Sequence, residues 1–266
     1  MSQTNLPVTG REFKMMLNVD RFSDRAAGVT AFWKLVSFIV GRQGGTAGDE
    51  KTKEERRVVS YFDTPNGNLR QHGLNLRQRR EGETKFNLTL KYRSADRYLS
   101  AAADVKGSDA DKNEFEEDVL PPHTSKFSKS SRVKFKADPA PKKAGDLVAI
   151  FPGVASLNLP ADTPVETVNG FEAHEVEREV GKFSFGGPDV EASLSFWYLL
   201  GEEGELPLIA EFSFGYTAEA TAAGALEQFH AATVEGADRF FKALQLHAGW
   251  LDFNLTTKTA FVLDSA

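Results

Sequence analysis

Cysteine is missing from this 266-residue chain. Its absence removes disulfides, thiolate metal sites and cysteine nucleophiles, and leaves the compartment open. The 5 His residues show no paired zinc spacing. There is no Gly-rich phosphate cradle of the P-loop type. Ser193, Ser195 and Ser213 stand in no nucleophile-elbow setting. Long apolar runs are also wanting. The longest, 29–40, contains Lys34 and is too short to span a bilayer. The opening residues MSQTNLPVTGREFK lack the apolar centre of a secretory signal. A cytoplasmic protein with no membrane partner is the resulting expectation. The formal net charge of −6 offers no overall basic surface, so no nucleic-acid partner is expected either.

What is present is a chain able to build a full core, with 41% hydrophobic residues and 21 Phe. Its length suits one domain over residues 1–266. Strands are expected near 11–18, 56–62, 74–80, 85–92, 113–119, 173–185, 190–199 and 207–216. A helix is expected at 24–40, capped by Ser23 or Asp24 and ended by Gly41. Residues 41–53 read as a polar, Gly-rich loop, and Pro65-Asn66-Gly67 as a turn. The stretch 121–141, rich in Lys, Ser and Pro, reads as an insertion or mobile loop. Within it, Arg132, Lys134 and Lys136 alternate as a solvated face or an extra strand. Residues 217–246 read as helical, with Leu226, Phe229, Phe240, Phe241 and Leu244 packing and with Gly224 and Gly236 as interruptions. No fixed-period repeat is present.

The strongest local signal is 61–91, YFDTPNGNLRQHGLNLRQRREGETKFNLTLK. Side chains alternate across a strand with period two. Leu74 and Leu76 therefore oppose Arg77 and Arg79, while Phe86, Leu88 and Leu90 oppose Lys85, Asn87, Thr89 and Lys91. A hairpin of these strands gathers positive charge on one face. Like charges across a ladder repel, so the face suits a polyanion. Similar alternation recurs elsewhere. Phe13, Met15 and Leu17 oppose Glu12, Lys14 and Met16; Phe115 opposes Glu114 and Glu116; Phe212 and Phe214 oppose Glu211 and Ser213. Alternation alone leaves two architectures open: a closed antiparallel barrel with a charged interior, or a half-buried sheet with an ordinary solvated face.

The residues Tyr61-Phe62-Asp63-Thr64-Pro65, Gly73-Leu74-x-Leu76-Arg77-x-Arg79 and Thr89-Leu90-Lys91 resemble the CYTH family, the triphosphate tunnel metalloenzymes. Glu12-Phe13-Lys14 resembles the end of that family's Glu-x-Glu-x-Lys signature. The family includes thiamine triphosphatases, inorganic tri- and polyphosphatases and class IV adenylyl cyclases. The resemblance spans roughly residues 10–260 and is most specific over 61–91. It implies an all-β-dominated (α+β) fold, an eight-stranded antiparallel tunnel barrel with flanking helices. It further implies a bound small-molecule triphosphate or polyphosphate and Mg²⁺ or Mn²⁺ as cofactor. By resemblance, Lys14, Arg77, Arg79 and Lys91 hold phosphate, with Arg178 and Lys258 as looser matches.

The acidic half departs from the family. Gly10 stands where the first glutamate of the signature belongs, Ser195 where a later strand supplies Asp, and Ser213 where the next strand completes Glu-x-Glu. Glu12, Glu211 and one or both of Glu114 and Glu116 remain as expected metal ligands, and Glu191 is a nearby substitute. Glu12, Lys14, Arg77, Arg79, Lys91 and Glu211 form the expected catalytic set. The expected function is divalent-metal-dependent hydrolysis of an inorganic or organic triphosphate. The alternative is a non-catalytic triphosphate- or polyphosphate-binding protein with a degenerate metal site. A cyclase is a third option that no nucleoside pocket in the sequence supports.

Overall fold

The computed structural model describes residues 6–202, 204–219, 228–255 and 257–264. Strand β1 (Gly10–Leu17) leads to helix α1 (Arg25–Arg42), the two-residue β2 (Thr46–Ala47) and β3 (Glu54–Asp63). A short α2 (Asn68–Gln71) precedes the hairpin of β4 (Leu74–Glu81) and β5 (Lys85–Ser94). Helix α3 (Arg97–Ala102), β6 (Ala110–Leu120), β7 (Thr124–Phe135) and α4 (Ala144–Ile150) follow. The long β8 (Glu166–Ser184), β9 (Val190–Leu199), β10 (Ile209–Thr217), α5 (Ala231–Leu244) and α6 (Lys258–Asp264) complete the described chain.

Around the sheet the order is β8-β3-β4-β5-β7-β6-β1-β10-β9, and β9 pairs back to β8. The ring therefore closes on nine strands, with β2 added beside the far end of β8. All eight expected strands are in it. The ninth is β7, which corrects the reading of 121–141 as an insertion: Thr124–Phe135 is a barrel strand between β5 and β6. The pairing is antiparallel except between β1 and β6, which run parallel with Gly10 opposite Glu116.

The barrel is inverted relative to a soluble globule, with charge inside and apolar residues outside. Phe13, Met15 and Leu17 of β1, Phe212 and Phe214 of β10, and Val176 and Val180 of β8 form one outer cluster. Helix α1 covers it with Val29, Phe32, Trp33, Val36, Ile39 and Val40, the three-to-four-residue stripe that a helix buries. Asp24 caps α1 by accepting from the Ala27 N–H, and the helix runs past Gly41 to Arg42. Helix α5 adds Phe240, Phe241 and Leu244 to the same cluster. The second part of the 217–246 expectation needs correction: β10 extends to Thr217 and the helix spans only Ala231–Leu244, while 220–227, with Gly224 and Leu226, lie outside the described residues. Gly236 does not interrupt α5. Its missing side chain admits Phe185, whose ring carbon would lie 2.1 Å from an added Cβ. A second outer cluster, with Leu76, Leu88 and Leu90, is covered by Leu69 and by Leu147 and Phe151 around α4. A third lies on the lumen side at one end: Met16, Val59, Tyr61, Ala173, Trp197 and Ile209 pack with Val262 of α6. No helix among the described residues is long and apolar enough to cross a membrane.

Phe13 is fully buried and stacks on Phe214 at 4.7 Å between ring centroids. Truncation of such a ring leaves a cavity that the barrel wall cannot fill. Phe13→Ala is expected to lower stability by about 3–5 kcal/mol, read from the urea midpoint at unchanged slope. A loss below about 1 kcal/mol would show that the outer cluster is not the core.

Candidate functional site

The strand parity that sends Leu76 and Leu90 outward sends Arg77, Arg79 and Lys91 into the lumen. There they meet Lys14 from β1 and Lys258 from α6, and all five line one cavity of about 430 Å³. Arg57 of β3 lines it as well, and Arg93 of β5 borders an adjoining pocket with Lys14, Arg77 and Lys91. The cavity walls carry charged, hydroxyl and amide side chains and no apolar or aromatic one.

So many cations in one barrel require interleaved anions, and two fully buried carboxylates supply them. Asp118 of β6 receives Lys14 Nζ at 2.8 Å and Arg93 Nη2 at 2.7 Å, with Lys91 Nζ at 3.4 Å. Glu175 of β8 is met by Arg79 Nε at 3.0 Å, Arg57 Nη1 at 3.4 Å and Lys258 Nζ at 3.4 Å. The Trp197 indole N–H donates to Glu175 at 3.0 Å and the Ser195 hydroxyl at 3.2 Å. Burial alone would push both acids up. The surrounding cations, Lys14, Lys91 and Arg93 in one case and Arg79, Lys258 and Arg57 in the other, hold them well below the usual carboxylate range. Burial likewise pushes the Lys14 ammonium down, and Asp118 and Glu12 outweigh it, so Lys14 is raised.

Arg77 differs from its neighbours. Arg57, Arg79 and Arg93 each meet a carboxylate, whereas Arg77 makes no ion pair among the described residues. Burial and the adjacent Arg79 depress it, opposed by the Tyr61 hydroxyl, to which it donates, and by the charge of Glu175. Lys91 is also depressed, by burial and by the nearby Lys14 and Arg93, despite Asp118. These two cations face the lumen with the least compensation.

The expected acids are placed as follows. Glu12, Glu114, Glu116 and Glu211 all line the cavity. Glu12 is bound by Lys14 at 2.7 Å, Glu211 by Lys258 at 3.0 Å and Glu114 by Lys112 at 2.5 Å. Glu116 alone of the four makes no ion pair among the described residues. Burial, reinforced by Glu12 and Glu114 against Lys91, pushes it up to about 7. Its Oε1 lies 3.4 Å from where a Cβ on Gly10 would stand, so Glu116 takes up the space beside Gly10. Glu191 sits at a second opening with Gly10, Ser193 and Ser213, held by Lys182 at 2.8 Å and largely exposed.

This donor set does not fit a divalent cation held by the protein alone. Such an ion needs several free oxygen donors, and three of the four carboxylates already neutralise a lysine. Among the described residues no group of three or more His, Asp or Glu is placed to hold a metal.

Arg178 is corrected. It follows Glu177, which faces the cavity, and so points to the outer side of β8. There its Nη2 pairs with Glu50 at 2.6 Å and its Nε donates to the Lys51 carbonyl. Four residues of the site went unpredicted: Arg57, Arg93, Asp118 and Glu175. Parity carried a signal for three of them. Arg93 shares a face with Lys91, Asp118 with Glu114 and Glu116, and Glu175 with Glu177.

Residues 42–148 match the family model described as the CYTH domain. The resemblance read from the sequence is thereby borne out. Among solved structures, a candidate adenylyl cyclase from Hippeastrum, described as revealing a dominant triphosphatase activity, superposes with a TM-score of 0.51 at 13% identity, covering 97% of this chain and 96% of that one. A candidate adenylate cyclase from Bacillus halodurans gives 0.45 at 11% identity, with 97% of each chain covered. The first shows the shared tunnel-barrel fold. A search of curated proteins finds no match.

Glu175 ties stability to pH. Its pKa is lowered in the folded state, so the unfolded chain binds more protons as pH falls. The stabilisation is present above the unfolded value and is lost on acidification through the folded one. The wild type is expected to lose urea resistance steadily from about pH 5 to pH 3. Glu175→Gln should be less stable by about 3–5 kcal/mol near neutrality, because three cations lose their partner, and should show a shallower acid slope. An unchanged slope would refute the role given to Glu175.

Proposed function

We propose that the lumen binds a triphosphate chain and hydrolyses its terminal anhydride. The observation that carries the reading is the ring of cations facing one cavity, in which Arg77 makes no ion pair among the described residues. Arg offers a planar fork to phosphate oxygens and Lys a compact charge. In this reading Arg77, Arg79, Lys91 and Lys14 hold the phosphates, with Lys258 reaching in from α6. The CYTH match over 42–148 supports it, as does the triphosphatase activity described for the Hippeastrum protein. Among the described residues that line the main cavity none is aromatic or aliphatic, which favours an inorganic chain over an organic triphosphate and over a cyclase substrate.

Hydrolysis adds water to the terminal phosphorus, breaks its bond to the bridging oxygen and leaves the electron pair on the departing chain. The fixed cations neutralise charge that develops on the phosphoryl oxygens. The resemblance implies Mg²⁺ or Mn²⁺. Since the protein's own acids do not make a complete ligand set, the ion in this reading arrives as the counter-ion of the substrate. A cytoplasmic location and the absence of nucleic-acid and membrane partners belong to the same proposal.

A second reading, binding without turnover, is favoured by one observation: Gly10, Ser195 and Ser213 replace acids, and Glu12 and Glu211 are held by lysines. Two measurements separate the readings. Tripolyphosphate should raise the melting temperature by mass action, and Arg77→Ala should remove most of that shift. Phosphate release from tripolyphosphate, ATP and thiamine triphosphate, with Mg²⁺, Mn²⁺ or EDTA, should be fastest for tripolyphosphate with metal. Binding without release would establish the second reading, and an unchanged melting temperature at millimolar tripolyphosphate would refute both.

A further inference from the structure

Asp118 and Glu175 hold the cations that line the cavity and do not line it themselves. Each is fully buried, and each is surrounded by three cations at 2.7–3.4 Å. Of the phosphate-holding cations named above, Arg77 alone has no carboxylate partner. The two groups are not isolated from one another: Lys258, paired with Glu175, also pairs with Glu211, whose charge in turn reaches Lys14 on Asp118. The lumen therefore holds two cation groups, each with one fully buried carboxylate shared among three cations, and one guanidinium that makes no ion pair among the described residues and faces the same cavity.

An anion entering this lumen competes with resident carboxylates for the same N–H donors. Among the described residues a single phosphate finds Arg77 without an ion-pair partner, and elsewhere meets donors already shared with a resident carboxylate. A longer chain carries more charge and engages donors of both groups at once, so it alone recovers what the competition costs. Resting on the phosphate-chain reading above, we propose that Asp118 and Glu175 are specificity-determining residues. They are built-in counter-anions that set a threshold of ligand charge and length, excluding orthophosphate and pyrophosphate and admitting triphosphate or longer chains. The sequence resemblance assigns neither residue a role.

The test is a series of dissociation constants, by calorimetry, for orthophosphate, pyrophosphate and tripolyphosphate. The wild type is expected to bind tripolyphosphate at least ~100-fold more tightly than orthophosphate, because each resident charge opposes the shorter anion by a factor of ~10 or more at these separations. Asp118→Asn and Glu175→Gln should each tighten orthophosphate ~10-fold or more and narrow its gap to tripolyphosphate. Glu12→Gln, which frees part of Lys14 from a more exposed acid, should move the ratio in the same direction and serves if the buried variants fail to fold. A purely structural role predicts the opposite, equal weakening of all three ligands. That result, or an unchanged ratio in the folded variants, would overturn the proposal. So would a wild type that binds orthophosphate within ~10-fold of tripolyphosphate. Failure of every chain to bind would instead overturn the phosphate-chain reading itself.

Discussion

Buried charge must be paired, and the interior of this barrel is organised by that requirement. Lys14, Arg57, Arg79, Lys91, Arg93 and Lys258 converge from β1, β3, β4, β5 and α6, and their mutual repulsion in a shielded interior would open the barrel. Asp118 and Glu175 make the convergence tolerable. Breaking such a pair costs far more than the pair contributes over an apolar substitute, so these two acids are a condition of the lumen's existence. Arg77, which donates to Tyr61, makes no ion pair among the described residues and stays depressed.

The outer architecture follows from the same alternation. A strand with charge on its inner face carries its apolar residues outside, where water would otherwise meet them. Helices α1 and α5 cover the cluster around Phe13 and Phe212, and the α4 region covers Leu76, Leu88 and Leu90. Where the inner face turns apolar, at Met16, Tyr61, Trp197 and Ile209, α6 packs against the end and brings Lys258 to the cavity. Packing outside and electrostatics inside are thus two faces of one period-two pattern.

That pattern made much of the fold legible. Several of the eight strands were readable because they alternate large apolar residues with charge, as at 74–79 and 85–91. The ninth, β7, was not, because its buried positions include Ser128, Ser130 and Ser131. A strand that buries serine reads like a linker, although Ser131 accepts from the Gly107 N–H at 2.9 Å. Arg77, Arg79 and Lys91 were readable from parity and resemblance together. Arg178 was misplaced by resemblance alone, since adjacent residues of a strand face opposite ways and Glu177 already faced inward. Asp118 and Glu175 share an inward parity with Glu116 and Glu177, but their partners were hidden. Their roles lie in cations from other strands, and no local spacing announces a partner brought together only by barrel closure.

The claim on which the account stands is that the barrel interior is an anion site in which these cations share a phosphate chain with internal carboxylates. A crystal structure of the protein with bound tripolyphosphate tests it most directly. The account predicts the chain inside the lumen, with its oxygens within hydrogen-bond distance of Arg77 and of donors now held by Asp118 and by Glu175. Tripolyphosphate found only on an outer surface, with the pairs of Asp118 and Glu175 undisturbed and Arg77 still unpartnered, would contradict it.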